Sequence, residues 1–196
     1  DEAHLFKSKS LTTIMTKLIN CKYRFGMTGT LDGTQTHRLV LEGLFGKVEK
    51  VTSTKQLMDK DTLANLKIKC LVLKHKENEC KEVKDLKYSD ELQYIVAHKI
   101  RNDFISRLCD KLSGNTLCLY QLVEKHGLVL YNLMKDFDRK VFFIHGGTDT
   151  ETREKIRAIT EEQTNAIIVA SYGTFSTGIN IRNLHNIVFA SPSKSR

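Results

Sequence analysis

The first four residues, Asp1-Glu2-Ala3-His4, place two adjacent carboxylates next to an imidazole. In an enzyme that hydrolyses a phosphoanhydride, one carboxylate can hold the Mg²⁺ that bridges the terminal phosphates. Its neighbour can then orient and deprotonate the attacking water. A frayed, charged end of the chain explains the same tetrapeptide without any function. On the functional interpretation, Asp1 binds Mg²⁺ through water and Glu2 is the general base.

A Thr-Gly-Thr sequence, Thr28 to Thr30, follows the apolar run Tyr23–Met27. Small hydroxyl residues at the end of a strand could hydrogen-bond His4 and couple a nucleotide site to a second domain. An ordinary glycine turn is the alternative interpretation.

Two glycine-containing segments in the second half of the chain could contact phosphates. Phe142–Gly147 (FFIHGG) ends in a glycine pair, and Arg153 follows near the start of a predicted helix. Residues 171–181 (SYGTFSTGINI) are rich in Gly, Ser and Thr. At the carboxyl edge of a parallel sheet, such a loop presents backbone N–H and hydroxyl groups to phosphates.

The composition of the chain indicates a folded protein. Its 196 residues allow one large domain or two small ones, and 40% are hydrophobic and 28% charged. Lys and Arg number 31 against 23 Asp and Glu, giving a net charge of +8. This excess is typical of proteins that bind nucleic acid, although a lysine-rich solvated surface has the same signature. No apolar run reaches the ~18 residues of a membrane span, and no signal peptide is evident, so we expect a cytoplasmic protein.

Neither the cysteines nor the histidines show the spacing of metal ligands. The five cysteines are odd in number and contain no C-x-x-C pair, so we expect reduced thiols. The scattered histidines are expected to be surface or core residues: His37, His75, His98, His126 and His185.

Apolar periodicity predicts alternating helices and strands. In the first part it predicts a helix from Leu11, a strand at Tyr23–Met27, a helix over 36–44 ended by Gly46, and a strand at Ile68–Leu73. The charged residues 74–87 are expected to form a linker.

The remainder of the chain is predicted to alternate in the same way. One long helix is expected to begin at Ser89-Asp90 and end at Gly114, with an apolar stripe that includes Leu92, Val96, Ile100 and Phe104. Strands and helices then alternate: strands at 116–121, 141–144, 166–170 and 187–190, helices at 128–137 and 152–162. This order predicts an α/β fold with a parallel sheet.

Taken in order, these motifs resemble those of superfamily-two helicases, and in detail their branch-migrating motors. Asp1–His4 is similar to motif II of the family, and Thr28–Thr30 to motif III. The strand ending at Gln121 falls where motif IV belongs. HGG followed by Arg153 matches the segment between motifs IV and V. Residues 171–181 are similar to motif V.

The resemblance implies a set of functional residues. The implied catalytic residues are Asp1, Glu2, His4, Thr28 and Thr30, and the implied ATP contacts are Asp1, Gly178 and Asn180. The implied nucleic-acid contacts are Ser171, Tyr172, Gly173 and Gln121.

The resemblance also implies two RecA-like domains with parallel sheets flanked by helices. Residues 1–87 would be the C-terminal part of the first domain, incomplete on its N-terminal side, plus the linker. Residues 88–196 would be the second domain without its final motif. The Gly-Lys-Ser/Thr loop that grips phosphates and the glutamine and arginine fingers are not found in the chain, so we expect the isolated segment to lack useful ATPase activity.

The implied function is ATP-dependent DNA unwinding, with Mg²⁺, in recombination, replication and repair. The implied substrates are single-stranded DNA, branched DNA and RNA–DNA hybrids. The resemblance also implies a monomer that acts in the cytoplasm, which is the host cytoplasm if the protein is phage-encoded. Two alternatives fit the same residues: a duplex translocase that does not separate strands, and a non-enzymatic nucleic-acid-binding module.

Overall fold

A computed structural model of the chain describes residues 3, 9–29, 31, 35–175 and 181–192, with only the backbone described at 10, 11 and 35–37. The chain forms two compact units, Asp1–Cys70 and Leu71–Arg196. The domain boundary predicted between residues 87 and 88 stays a prediction. None of the described helices is long and apolar enough to cross a membrane.

The first unit contains the two helices predicted from its apolar spacing. They are α1 (Lys9–Lys17) and α2 (Gln35–Phe45), and a shorter helix, α3 (Thr54–Asp59), follows. Gly46 ends α2 with a φ of 93° and donates its N–H to the Glu42 carbonyl at 2.9 Å. A side chain at Gly46 would strain this left-handed conformation, which explains why the helix ends there.

The strands predicted at Tyr23–Met27 and Ile68–Leu73 are wrong, because both segments are irregular. Neither pairs with another strand among the described residues, and Phe25 and Val72 are 82% and 84% exposed. A short apolar run indicates that a segment can be buried, but a strand also needs a neighbour to accept its backbone hydrogen bonds.

The second unit is built on the predicted parallel sheet. Its four strands are β1 (Thr116–Tyr120), β2 (Val141–Ile144), β3 (Ile167–Ser171) and β4 (Asn186–Phe189). Their order is β2-β3-β1-β4, and every pairing is parallel. The α/β prediction is therefore confirmed for this unit.

Helices cover both faces of the sheet. Alternate residues of β1 and β3 point to opposite sides: Cys118 and Val169 pack with residues of α6 and α7, whereas Leu117 and Ile168 pack with Ile156 of α8. The helices of this unit are α4 (Glu77–Val83), α5 (Tyr88–Ala97), α6 (Lys99–Lys111), α7 (Leu128–Met134), α8 (Thr150–Glu162) and the short α9 (Tyr172–Phe175), with a π-helical turn at Val123–Gly127 before α7. The central strands β1 and β3 are buried along their whole length, and burial on both faces accounts for their continuous apolar sequence.

The long helix predicted from Ser89 to Gly114 is in fact two helices, separated at His98. His98 ends α5, and its Nδ1 accepts the N–H of Arg101 at 3.2 Å to cap α6. The interruption shifts the buried face: Val96 is buried as predicted, but Ile100 is 70% exposed and Ile105 lies in the core instead. The apolar spacing in the sequence continues through the break at His98, so it predicts the wrong buried face for α6.

Candidate nucleic-acid interface

The carboxyl ends of the four parallel strands meet at one edge of the sheet. Tyr120 of β1 stands opposite Ser171 of β3, Leu119 stands opposite Phe189 of β4, and Ile144 of β2 stands opposite Ala170. In open parallel sheets, ligands bind outside this edge. The loops that leave it are therefore the candidate site.

Three of the four residues predicted to contact nucleic acid lie in the connection that leaves β3. Ser171 is the last residue of the strand, and Tyr172 and Gly173 begin α9. The buried Ser171 hydroxyl lies 2.5 Å from the Thr174 hydroxyl, so a one-turn helix forms where sequence predicts only a loop. Ser171 is therefore a fixed support for α9.

Gly173 and Gln121, by contrast, are exposed at this edge. A Cβ added at Gly173 would meet no atom of the described part of the chain within 4 Å. The protein itself therefore does not require glycine there, which leaves room for a ligand to approach the backbone. The side chain of Gln121 is exposed, while its backbone N–H is held inside the structure by Ser191.

The glycine pair after β2 forms a loop held by its own side chains. His145 receives the Gly147 N–H on Nδ1 at 3.1 Å, and its own N–H donates to the Thr148 hydroxyl at 3.1 Å. Arg153 donates its Nε–H to the Thr148 carbonyl at 2.8 Å. Asp149 caps α8 through the Thr152 N–H, a hydrogen bond that lowers the pKa of the Asp149 carboxyl. Arg153, which follows the HGG sequence in the segment that resembles the helicase family, thus orients this loop from α8.

Sequence analysis missed a hydrogen-bonded cluster that joins the ends of β1 and β4. Ser191 Oγ lies 2.7 Å from His126 Nδ1 and accepts the Gln121 N–H at 2.9 Å. His126 Nε2 lies 3.2 Å from Oδ1 of Asn102, whose amide nitrogen donates to the Val96 carbonyl. Because Oδ1 can only accept, Nε2 carries the ring proton and Nδ1 accepts the Ser191 hydroxyl proton. We refer to His126, Ser191 and Asn102 as the His126 cluster.

Two more side chains, one from α9 and one from α6, bind the same segment. Tyr172 donates its hydroxyl to the Ser191 carbonyl at 2.8 Å, and burial raises the pKa of Tyr172 so that this proton is retained. Arg101 donates from Nη2 to the Ala190 carbonyl, while its buried Nη1 has no hydrogen-bond partner among the described residues. The segment Ala190–Ser191 is therefore held by hydrogen bonds with Arg101, with Tyr172 and with His126 of the His126 cluster.

The chemistry of the His126 cluster depends on a neutral imidazole. His126 is fully buried, and its burial together with the positive charge of Arg101 lowers the pKa of His126 to about 4. A protonated ring would donate from both nitrogens, so Ser191 could no longer give its proton to Nδ1. Above that pKa, the cluster holds the ends of β1 and β4 in one arrangement.

The opposite, amino edge of the sheet is closed by internal hydrogen bonds. The buried Asn115 donates its side-chain amide to the carbonyls of Thr160, Gln163 and Asn183 at 2.7 to 2.9 Å. Its Oδ1 accepts the Ala166 N–H at 2.8 Å. This side chain is occupied within the fold, so Asn115 is a structural residue, and the carboxyl edge remains the candidate site.

The predicted nucleotide site falls mostly outside the described residues. Those residues are Asp1, Glu2, His4, Thr30, Gly178 and Asn180. Between Glu2 and His4, Ala3 is buried and donates its N–H to the Met27 carbonyl at 2.9 Å, directly before the exposed Thr28. Ala3 thus lies beside Met27, the residue before the Thr-Gly-Thr sequence, within the first unit.

Comparison with known proteins confirms the resemblance to helicases. No family model matches the chain. It is 35% identical over 199 residues to the ATP-dependent DNA helicase uvsW of Enterobacteria phage T4, an alignment that covers all of this chain and 39% of that protein. The crystal structure of T4 UvsW matches the whole chain with a TM-score of 0.61 and 34% identity, over 38% of its own length. The chain therefore shares the α/β fold of that protein and spans about two-fifths of it.

Proposed function

We propose that this chain is the central motor segment of an ATP-dependent DNA helicase of superfamily two. The observation that carries the proposal is its similarity, at 35% identity over the whole chain, to a DNA helicase. The order of the acidic tetrapeptide, the Thr-Gly-Thr sequence and the loops at the sheet edge supports the same function. In this proposal residues 1–87 belong to the first motor domain and its linker, and residues 88–196 to the second.

Nucleotide chemistry is assigned to the acidic tetrapeptide. Asp1 would hold Mg²⁺ through water, Glu2 would orient and deprotonate the attacking water, and Gly178 and Asn180 would contact ATP from the second domain. His4, Thr28 and Thr30 would couple hydrolysis to domain movement. The hydrogen bond from Ala3, within the acidic tetrapeptide, to Met27, directly before Thr28, supports this coupling.

DNA contact is assigned to the carboxyl edge of the sheet. The open backbone at Gly173 and the exposed Gln121 side chain support it, as does the net charge of +8. Backbone N–H, hydroxyl and cationic groups bind the phosphates of DNA and not its bases. DNA binding should therefore depend weakly on base sequence and strongly on salt concentration. Ser171 and Tyr172 would position α9 for this contact.

The proposed substrates are single-stranded DNA, branched DNA and RNA–DNA hybrids in recombination, replication and repair. We infer a monomeric motor. The similarity to a phage enzyme supports action in the cytoplasm of an infected host.

Strand displacement tests this proposal directly. The full-length protein that carries this chain is mixed with a labelled fork and with a labelled three-way branch, with and without ATP and Mg²⁺. We expect ATP-dependent release of the labelled strand, and no release by the Glu2→Gln variant. ATP consumption without strand release would instead indicate a duplex translocase, and DNA binding that ignores ATP would indicate a non-enzymatic module. Either result would contradict the helicase proposal.

A further inference from the structure

Two imidazoles and one carboxylate converge between the segment before α4 and the start of α6. His75 Nδ1 lies 3.7 Å from Glu79 Oε2, and His98 Nε2 lies 4.0 Å from the same oxygen. Their potential ligand atoms all lie within 4.8 Å of one another. We propose that His75, Glu79 and His98 form a binding site for a divalent transition-metal ion of the zinc type.

The donor set and its spacing favour zinc. Two imidazole nitrogens and one carboxylate oxygen suit Zn²⁺ better than Mg²⁺ or Ca²⁺, which take oxygen ligands. With bonds of about 2.0–2.2 Å, tetrahedral ligands stand about 3.4 Å apart. The observed separations of 3.7 and 4.0 Å reach this value by small side-chain rotations.

The cluster is accessible to an ion from solvent. The side chains of His75, Glu79 and His98 are 32%, 26% and 13% exposed. An ion can therefore enter, and a water molecule can complete its coordination. The sequence predicted no metal ligands at His75 and His98. His98 joins the cluster through the break between α5 and α6, which periodicity did not predict.

Two of the three proposed ligands, Glu79 and His98, already cap helices, and metal binding affects the two caps differently. Glu79 Oε2 accepts the Lys76 N–H at 3.2 Å, and the second lone pair of this oxygen can bind a metal at the same time. His98 Nδ1 accepts the Arg101 N–H. When Nε2 binds a metal, the ring proton lies on Nδ1. Nδ1 can then no longer accept the Arg101 N–H, which must donate to water instead. Because metal binding at His98 costs this helix cap, the affinity for the metal is lower by roughly fivefold than it would be without that cost.

Metal binding would fasten a weakly anchored helix. None of the residues of α4 is buried, so little apolar contact holds it to the rest of its unit. A metal shared by Glu79 of α4 and His98 at the start of α6 replaces that missing contact with two coordination bonds. The site is therefore structural, and it makes no use of the proposed helicase function.

Variants that keep the helix caps separate ligation from folding. Glu79→Gln retains the capping box, because Gln at this position can still accept the Lys76 N–H, and His98→Asn retains a good N-cap. His75→Gln removes the third ligand. His145→Gln removes an imidazole elsewhere in the chain, and Cys80→Ser removes the exposed thiol next to Glu79.

Calorimetric titration of the metal-free chain with Zn²⁺, and absorption spectra with Co²⁺, test the site. We expect one ion per wild-type chain, the same affinity in His145→Gln and Cys80→Ser, and a loss of more than about tenfold in the other three variants. The Co²⁺ spectrum should lack thiolate charge-transfer bands. Far-UV circular dichroism establishes that every variant is folded. No saturable binding by the wild type, unchanged binding in the three ligand variants, or loss of binding in Cys80→Ser would overturn the proposal.

Discussion

At the scale of single residues, His126 is the most informative side chain of the second unit. Its buried ring links Ser191, two residues after β4, to Asn102 of α6. Nothing in the sequence marks this histidine, because its two partners lie 65 and 24 positions away. Long-range hydrogen bonds leave no periodic signal, and so a residue-by-residue analysis treats His126 as one scattered histidine among others.

The pKa of His126 predicts how stability responds to acid. Its pKa is about 4 in the folded chain and 6.5 for an ordinary histidine, so between these values the unfolded chain binds a proton that the folded chain does not. The contribution of His126 is thus complete above about pH 6.5 and is lost as the pH falls to about 4, by roughly 3 kcal/mol. Free energies of unfolding measured across this window should fall more steeply for the wild type than for His126→Gln. Parallel pH profiles would contradict the assignment.

Two glycines at the candidate interface predict opposite outcomes for the same substitution. A Cβ at Gly127 would lie 2.4 Å from the buried Tyr120 ring, whereas a Cβ at Gly173 would meet nothing within 4 Å in the segments that the structure describes. Gly127→Ala should therefore lower stability by roughly 1–3 kcal/mol. Gly173→Ala should leave stability within about 0.5 kcal/mol.

DNA binding by the Gly173 variants tests whether a ligand approaches that backbone. We expect the longer Gly173→Val side chain to weaken DNA binding by the full-length protein more than Gly173→Ala does, with thermal midpoints unchanged. Fluorescence anisotropy with a labelled single strand measures the affinity. Equal affinity in the wild type and both variants would remove Gly173 from the proposed contact.

At the scale of elements, Arg139 holds the end of α6. Its guanidinium donates to the carbonyls of Asp110 at 2.8 Å, Leu112 at 3.1 Å and Gly114 at 2.9 Å. The last carbonyls of a helix have no partner within it, and a cation there also meets the negative end of the helix dipole. The fork of Arg139 thus ties α6 to the residues that enter β1.

Arg139→Lys should destabilise the chain although it keeps the charge. An ammonium group cannot reproduce the several directed hydrogen bonds of the guanidinium, and we expect a loss of roughly 1–3 kcal/mol. Arg157→Lys is the matched control: Arg157 makes solvent-accessible ion pairs with Glu154 and Glu161 on α8, and its replacement should cost much less stability. Thermal unfolding of the two variants gives the comparison. An equal loss in both would contradict the role of Arg139.

The elements also show where sequence patterns predict structure and where they do not. The strands β1 and β3 were predictable because continuous apolar runs such as Ile167–Ala170 are buried on both faces. The division between α5 and α6 was not, because His98 interrupts the helix without glycine or proline. At Tyr23–Met27 the residue types favour a strand, but no partner strand pairs with it among the described residues. Local preference predicts elements well only where the neighbouring chain supplies the pairing.

At the scale of the whole molecule, the chain matches only part of a longer helicase. It aligns with 39% of the T4 UvsW helicase, and all of it is covered by that alignment. The described sheet edge supplies the proposed DNA contact, while the proposed hydrolytic residues, Asp1 and Glu2, lie in the other unit. A motor needs both, because hydrolysis must change the grip on DNA.

The most direct test of this account is steady-state ATP hydrolysis by the full-length protein, with and without forked DNA, beside its Glu2→Gln variant. We predict hydrolysis that DNA strongly stimulates and that the variant loses while it still binds ATP. That result would establish the motor and identify Glu2 as its general base. Hydrolysis that ignores every nucleic acid, or that survives intact in Glu2→Gln, would contradict the central claim.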